Sequence, residues 1–441
     1  MKLRTIALIA LCTTFLLSCS KGKIIELPLS LQNGYGPFHF GIAMMSDFLV
    51  NENDTLGKSY INESEYFKGL LDVKYGNIES NGYQSDYQDY LLGTIAKERY
   101  DEIQKSWGWI PNTLYLSDTP VKTKIAFAYG KDHSGNPKIV IDANNNLDLN
   151  DDKVYTPVDL DLLFNEHLNK DSLVQAHSIH VSFESFIQNQ IVPVTVPILV
   201  MYHSQLGFIF NFAQYATARC KGETIAVCWD GFTRMAYITT EITMVADMRK
   251  NEIAKEEDVI LQNEYIEIKG EVYKNLGINT SKNALILEKV DLPKTQIVST
   301  QVGCKSPSFE GEEFTNKSSI SSEMLKGKYI FLDFWATWCG PCIQDIPNLK
   351  ELYAQVDTSR IEIIGIVGDS PADMINEMIN QHQITWPQIV SDDNNKITEK
   401  FGVGILKGYP TSFLLNPEGI IIAKNFRGEE LVENVLARMK E

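Results

Sequence analysis

The stretch that decides the fold of this chain is Trp338-Cys339-Gly340-Pro341-Cys342. An apolar, strand-like run precedes it at residues 329–336, and a segment with helical periodicity follows it at residues 343–355. The first cysteine therefore lies where a helix begins, and the unpaired backbone N–H groups and the helix dipole there stabilise a thiolate and lower its pKa. The second cysteine lies one turn further into the helix, within reach to form a disulfide. This arrangement predicts redox chemistry.

Two other uses of the cysteine pair fit the sequence less well. A structural zinc site needs four ligands, but the nearest other cysteine is Cys304 and the nearest downstream histidine is His382, without ligand spacing between them. A purely structural disulfide would close too short a loop to stabilise the fold appreciably. Redox catalysis is therefore the favoured interpretation.

From about residue 301 to residue 441 the chain resembles the thioredoxin-fold domain of the TlpA/ResA-like thiol–disulfide oxidoreductases. The matching segments are Gly303-Cys304-Lys305-Ser306-Pro307-Ser308-Phe309, Leu325-Lys326-Gly327-Lys328, the redox segment with Asp345 and Pro347 after it, the run 361–369, and residues 409–419. The family usually carries Glu where Asp345 stands. The resemblance implies an α/β thioredoxin fold, a central mixed sheet flanked by helices, at residues 300–441.

The residues of the redox segment suggest distinct roles. Cys339 is expected to be partly exposed and to attack a partner's disulfide, and Cys342, more buried, to resolve the mixed disulfide. Asp333 matches the buried aspartate of thioredoxin, and with a pKa raised by desolvation it could take the proton of Cys342. The alternative for Asp333 is a buried acid satisfied by hydrogen bonds alone.

Three further residues are candidates for substrate binding. Trp338 is expected to flank the pair as an apolar platform, although it could also serve packing alone. The resemblance implies that Pro410 is the family's cis-proline, against the disulfide, and that the backbone of Tyr409 pairs with an extended substrate. The alternative is a trans proline that starts a strand. The Gly-Pro dipeptide between the cysteines resembles that of reductants rather than oxidants.

The N-terminus reads as a processing signal. Lys2 and Arg4 give it a positive start, and residues 6–17 are apolar but too few to span a bilayer. Leu16-Leu17-Ser18-Cys19 resembles a bacterial lipobox, which predicts a signal peptide at residues 1–18 and lipidation of Cys19. An ordinary cleaved signal is the alternative. The protein is therefore expected in the cell envelope, anchored by lipid to a membrane and facing the periplasm, where disulfides persist.

The charge balance limits the partners. A net charge of −17 argues against nucleic acid and anionic lipid surfaces. The expected partners are disulfide-containing envelope proteins and a membrane thiol that supplies electrons, and no cofactor is required for this chemistry.

Residues 19–299 are predicted to form a mostly β region, with a division into two subdomains near residues 168–174 left open. The region contains one expected helix at 87–105, and a linker is expected at 291–299. The expected strands, rich in β-branched and aromatic residues, lie at 123–129, 137–141, 178–183, 207–212, 234–240, 265–272 and 284–290.

One segment of this β region could bind calcium. Its oxygen-bearing side chains alternate as in calcium loops and comprise Asp142, Asn144, Asn146, Asp148 and Asp152. Leu147 stands where such loops prefer Gly, and the closing acid comes one position early. A solvated Asn/Asp turn is the alternative. A disulfide between Cys220 and Cys228 is also left open.

Two rival functions remain. Thiol peroxidases share the fold, but their Pro-x-x-x-Thr/Ser-x-x-Cys segment is missing, since Leu332 and Ala336 stand at its first two positions. The second rival is a binding lipoprotein that uses the long β region and has the redox domain as an accessory.

Overall fold

The structure is a computed structural model, and it describes residues 22–45, 67–107, 116–164, 169–187, 189–245, 252–404 and 408–440. The predicted signal peptide at residues 1–18 and the predicted lipid attachment at Cys19 lie outside the described residues. Within the described ranges, none of the helices is both long and apolar enough to cross a membrane.

The part of the chain before residue 291 consists mainly of strands, as its composition predicts. The described strands are β1 (Ile24–Pro28), β2 (Ser30–Asn33), β3 (Ala43–Met44), β4 (Leu71–Glu79), β5 (Lys124–Lys131), β6 (Pro137–Ile141), β7 (Val154–Tyr155), β8 (Val158–Asp159), β9 (Ile179–Ile187), β10 (Gln190–His203), β11 (Gly207–Phe212), β12 (Gln214–Cys220), β13 (Glu223–Trp229), β14 (Thr240–Met244), β15 (Tyr265–Ile268), β16 (Glu271–Asn279) and β17 (Ala284–Val290). The helices here are α1 (Gly82–Leu91), α2 (Lys97–Trp107), α3 (Leu160–Leu163) and α4 (Lys170–His177).

These strands pair mostly antiparallel, and they share one core. The strand orders are β1-β17-β16-β15, β3-β11-β10-β8 with β9 also on β10, β14-β13-β12-β2, and β4-β5-β6-β7. A single apolar cluster contains residues from each of these sheets, including Phe127, Ile198, Trp229 and Leu285. The core is therefore shared by the sheets on both sides of residues 168–174, where the sequence left a division open.

Three expected elements differ from the structure. The helix expected at 87–105 is divided into α1 and α2, because Gly93 has a φ of 75° just after α1 and ends that helix. The strand expected at 265–272 is a hairpin of β15 and β16. Its turn residues, Lys269 and Gly270, both have positive φ, which suits a tight hairpin turn.

The prediction of a strand at 234–240 was wrong. The Asp230 carboxylate accepts hydrogen bonds from the backbone N–H groups of four successive residues, 236–239, at 2.7–3.1 Å. These amides are bound by one side chain, so they are not available to pair with a neighbouring strand. This segment, although rich in β-branched and aromatic residues, is therefore a loop wrapped around a buried acid.

The C-terminal part has the α/β thioredoxin fold that the resemblance implied. Its elements are β18 (Glu310–Glu312), β19 (Ser319–Ser321), β20 (Tyr329–Trp335), α5 (Gly340–Gln355), β21 (Ile361–Val367), α6 (Ala372–His382), β22 (Gln388–Val390), α7 (Ile397–Phe401), β23 (Thr411–Leu415), β24 (Ile421–Lys424) and α8 (Leu431–Arg438). The central sheet has the order β22-β21-β20-β23-β24. It is mixed, since β20 runs parallel to β21 and antiparallel to β23.

The central strand β20 is apolar on both faces because both faces are covered. Phe331 and Trp335 belong to the cluster that contains α5 and α8, whereas Ile330, Leu332 and Phe334 belong to the cluster on the opposite face. This alternation follows from the two-residue period of a strand. It places the residues of β20 with odd numbers on the face that carries the cysteine pair.

The β region and the thioredoxin-fold part are in direct contact. Gln301 exchanges two hydrogen bonds of 2.8 Å with the backbone of Tyr265. The expected linker at 291–299 contains a short 3₁₀-helix, Lys294–Gln296, and its Ile297 is buried against Cys304. The connecting segment is thus packed against both parts.

Candidate active site

A disulfide joins Cys339 to Cys342 at the start of α5, with their Cα atoms 5.3 Å apart. Cys339 is the N-cap residue, and its sulfur accepts a hydrogen bond from the backbone N–H of Cys342 at 3.2 Å. Pro341 occupies the first turn, where its missing N–H costs no helical hydrogen bond. The sulfur of Cys339 thus lies at the positive end of the helix dipole.

Both cysteines are buried in this disulfide form, with 3% of Cys339 and 4% of Cys342 exposed. The expected difference in exposure between them is therefore absent. The reason is packing, because Cys339 belongs to the same apolar cluster as Trp335 and Ile346. The exposed surface at this turn comes instead from Trp338, which is 63% exposed.

Asp333 lies in the middle of β20, directly opposite Gly365 of β21 and Ser412 of β23. Side chains alternate along a strand, so Asp333 shares a face with Phe331 and Trp335, whose cluster contains both redox cysteines. The fold therefore brings the predicted base to the face of the sheet that carries the disulfide.

The protonation of Asp333 is set by burial. Burial raises the pKa of Asp333 to about 7; the charge of Asp345 adds to the increase and Arg427 opposes it. Asp345, on α5, is itself held in place, since its Oδ1 accepts hydrogen bonds from Asn348 Nδ2 at 2.7 Å and from the Gly428 N–H at 2.9 Å. A carboxyl group with a near-neutral pKa can take up or release a proton at neutral pH, as a general base must.

Trp338, Tyr409 and Pro410, the residues predicted to bind substrate, lie next to one another in the fold. The Tyr409–Pro410 peptide bond is cis, as the resemblance implied. The Tyr409 ring packs edge-to-face against Trp338, with ring centroids 5.8 Å apart. The two aromatic residues therefore join the turn that contains the disulfide to the segment that contains the cis-proline.

Two residues that the sequence reasoning missed support this arrangement. The backbone carbonyl of Asp369 accepts the indole N–H of Trp338 at 3.0 Å, and its carboxylate accepts the Tyr409 hydroxyl at 3.2 Å. The Ser370 hydroxyl accepts the backbone N–H of Thr337 at 2.9 Å. Their sequence signal was their position directly after β21, because the carboxyl ends of parallel strands are where such sites form.

The predicted calcium loop is closed by its own hydrogen bonds. The Asp142 carboxylate accepts the backbone N–H groups of Asn146 at 3.0 Å and Leu147 at 2.8 Å, and Asp152 accepts that of Ala143 at 3.2 Å. The other expected ligands accept backbone N–H groups of the same loop: Asn144 and Asn146 at 3.0 and 2.9 Å, and Asp148 at 2.9 Å.

One buried side-chain oxygen of this loop has no hydrogen-bond partner. This oxygen is Oδ2 of Asp152. Burial raises the pKa of Asp152 to about 6, although the hydrogen bond from the Ala143 N–H lowers it. In the described ranges, no group of three or more His, Cys, Asp or Glu side chains is arranged to hold a metal ion. Calcium binding here therefore stays a prediction.

The remaining described cysteines are unpaired and buried: Cys220, Cys228 and Cys304. The disulfide left open between Cys220 and Cys228 is not formed. In the ladders of β12 and β13 these residues face Glu223 and Glu241 respectively, not each other. Strand register thus separates two cysteines that are close in sequence.

Known proteins resemble this chain in its C-terminal part. The profile of the AhpC/TSA family matches residues 302–424. The chain is 33% identical over 141 residues to thiol-disulfide oxidoreductase ResA of Bacillus thuringiensis, covering 32% of this chain and 78% of that protein. ResA of Bacillus cereus is 33% identical over 135 residues, covering 31% of this chain and 75% of that protein.

Among solved structures, the thioredoxin domain of a thiol-disulfide oxidoreductase from Bacteroides vulgatus is 27% identical. The match covers 31% of this chain and 96% of that domain, with a TM-score of 0.29. The two ResA relatives are matched over most of their own length, and this match shows the family. This chain therefore belongs to the ResA-type thiol–disulfide oxidoreductases, through the thioredoxin-fold domain at its C-terminus.

Proposed function

We propose that this enzyme reduces disulfides of envelope proteins, while lipid on Cys19 anchors it to a membrane and its body faces the periplasm. The observation that supports the reaction is the cysteine pair at the start of α5, on the same face of the sheet as Asp333. The lipobox-like segment that ends at Cys19 supports the anchor. The Gly-Pro dipeptide between the cysteines supports reduction rather than oxidation.

The reaction begins from the reduced pair. The Cys339 thiolate attacks one sulfur of the client disulfide, so a mixed disulfide forms, the client S–S bond breaks, and the released client thiolate takes a proton. Asp333 then accepts the proton of Cys342, whose thiolate attacks the sulfur of Cys339. The second client sulfur leaves as a thiolate and takes up the proton from Asp333, and the protein ends with the Cys339–Cys342 disulfide.

Two electrons pass from the protein to the client in each cycle, so the oxidised pair must be reduced again. A membrane protein with a reactive dithiol is the proposed donor, because exchange between thiols and disulfides needs no other electron carrier. The proposed reaction accordingly requires no metal and no organic cofactor.

The reduction of insulin disulfides by the full chain, with dithiothreitol as the donor, tests this proposal. We expect Cys339→Ser to abolish the reaction, and Asp333→Asn to slow it by about 100-fold, the lower end of the contribution of general base catalysis. Cys220→Ser, which changes a cysteine of the β region, is the matched control and should retain wild-type rates. Unchanged rates in both site variants would remove the mechanism.

A thiol peroxidase is the second candidate, favoured by the match to the AhpC/TSA family profile. The two positions where peroxidases carry Pro and Thr or Ser hold Leu332 and Ala336, which are completely buried. They offer no hydroxyl group to a peroxide. We therefore expect the reduced protein to consume hydrogen peroxide slowly, and rapid turnover would favour the peroxidase instead.

A further inference from the structure

A cavity of about 650 Å³ lies between the β region and the cis-proline segment of the thioredoxin-fold part. On one side it is lined by residues 408–411, which include the Tyr409–Pro410 peptide. The Tyr409 ring contacts Trp338 next to the disulfide. The cavity is therefore continuous with the surface proposed to receive the client.

The opposite wall comes from the β region and is fixed in place. Two side chains of the short helical segment Glu256–Asp258 contact the thioredoxin-fold part: Glu256 accepts a hydrogen bond from Asn425 at 2.8 Å, and Glu257 pairs with Arg438 at 3.5 Å. The wall and the cis-proline segment thus face each other at a defined separation.

The cavity offers both apolar contact and charge. Phe38 and Val259 from the β region face Pro410 across it. Three carboxylates, those of Glu241, Glu256 and Glu264, also belong to the β-region wall. None of the three forms an ion pair with another described residue.

The carboxylates outweigh the cations of the facing wall. That wall contributes two cations, Lys424 and Arg427, against three carboxylates on the β-region wall. Burial raises the pKa of Glu241, whereas the hydrogen bond with the Cys228 thiol and the nearby His39 lower it. A cationic group in the cavity would offset this cost of burying a carboxylate.

The size of the cavity suits a short length of extended polypeptide. An extended chain takes up roughly 4.8 × 10 Å in cross-section and about 3.3 Å per residue, so the cavity holds about four residues. Its volume is also within the usual range for ligand sites. A folded client would have to present its disulfide in a flexible segment to enter it.

We propose that this cavity binds an extended segment of the client polypeptide beside its disulfide, and that the β-region wall selects segments with Lys or Arg close to the reactive cysteine. This inference rests on the proposed reduction of client disulfides. It gives the β region, more than half of the chain, a part in choosing substrates.

Two peptides that differ only in carrying Lys or Glu two residues from a cysteine test the proposal. Each cysteine is held in a mixed disulfide with glutathione, and the reduced full-length protein is mixed with each peptide at pH 8 and low salt. The second-order rate constant is followed by tryptophan fluorescence. We expect the Lys peptide to react about 10-fold faster, a difference of about 1.4 kcal/mol.

The variants and the salt dependence locate the preference. Glu264→Gln, and the double variant with Glu241→Gln, should reduce the ratio of the two rate constants to about 2-fold or less. Glu267→Gln, a carboxylate of β15 outside the cavity, should keep the wild-type ratio. Raising the salt concentration should lower the wild-type ratio, because exposed charges are screened within about 10 Å at 0.1 M.

Equal rate constants for the two peptides in the wild-type protein would overturn the inference and leave the proposed reduction intact. A ratio that survives both the variants and high salt would also overturn it. Failure to react with either peptide or with oxidised glutathione would instead contradict the proposed reduction, and the inference with it.

Discussion

The Tyr409 hydroxyl donates a hydrogen bond to the Asp369 carboxylate at 3.2 Å. This contact ties the residue before the cis-proline to the loop after β21, and the same aspartate accepts the indole N–H of Trp338 through its carbonyl group at 3.0 Å. Asp369 has a φ of 46°, a backbone conformation that Asn and Asp tolerate better than most residues. One residue thus holds both aromatic side chains of the proposed client surface.

We predict that Asp369→Ala raises the KM for insulin with little change in kcat, because Asp369 positions residues that contact the client. The loss of a hydrogen bond to a charged group is worth about 1.5–3 kcal/mol, so kcat/KM should fall roughly 10- to 100-fold. Steady-state kinetics of the full chain measure this change.

Two further variants make the Asp369 prediction specific. Asp369→Asn tolerates the same backbone conformation and offers an amide oxygen to Tyr409, so it should recover most of the loss. Asp373→Ala, at an exposed carboxylate of the neighbouring helix α6, should resemble the wild type. A fall in kcat alone would contradict a positioning role.

Asp333 predicts an unusual dependence of stability on pH. Its pKa is raised from 3.8 to about 7 in the folded protein, so between these values the folded protein holds a proton that the unfolded protein has released. The contribution of this residue to the free energy of unfolding therefore falls as pH rises from about 4 to about 7. The three-unit shift corresponds to roughly 4 kcal/mol.

In the Asp333→Asn variant the side chain is neutral at every pH. The free energy of unfolding of this variant relative to the wild type should therefore increase between about pH 4 and pH 7 and level off above pH 7. Urea denaturation of the oxidised proteins at pH 4, 6 and 8 measures the difference. Asp373→Asn serves as the exposed control and should follow the wild-type profile. Parallel profiles for Asp333→Asn and wild type would contradict the raised pKa.

Calcium should stabilise the loop after β6 if the buried, unpartnered oxygen of Asp152 completes a cation site. A ligand that binds only the folded state raises the free energy of unfolding by about 2.7 kcal/mol at 100 times its Kd. We expect calcium to raise Tm relative to chelator, and Asp152→Asn to remove the rise. Equal melting temperatures with calcium and with chelator would leave the loop as an Asn/Asp turn.

Local patterns in the sequence carried the prediction of the redox centre. Cys339 and Cys342 lie at a junction between an apolar strand and a helix. Helix N-termini, strand alternation and turn residues are recognisable from a few consecutive residues, so the sequence alone can predict them. The same kind of reasoning went wrong at residues 234–240, because the carboxylate that binds the amides of that segment belongs to Asp230, outside the pattern. A segment rich in β-branched and aromatic residues does not by itself reveal a competing hydrogen-bond acceptor.

The sequence by itself determined where the disulfide forms, which helix begins at it, and which strand carries the acidic residue behind it. Only the tertiary structure decided that Cys339 is buried, that Asp369 holds Trp338 and Tyr409 together, and that Glu256 contacts Asn425 at the wall of a cavity. The physical reason is distance along the chain. Contacts between residues tens or hundreds of positions apart depend on how whole sheets and helices pack, which no local pattern records.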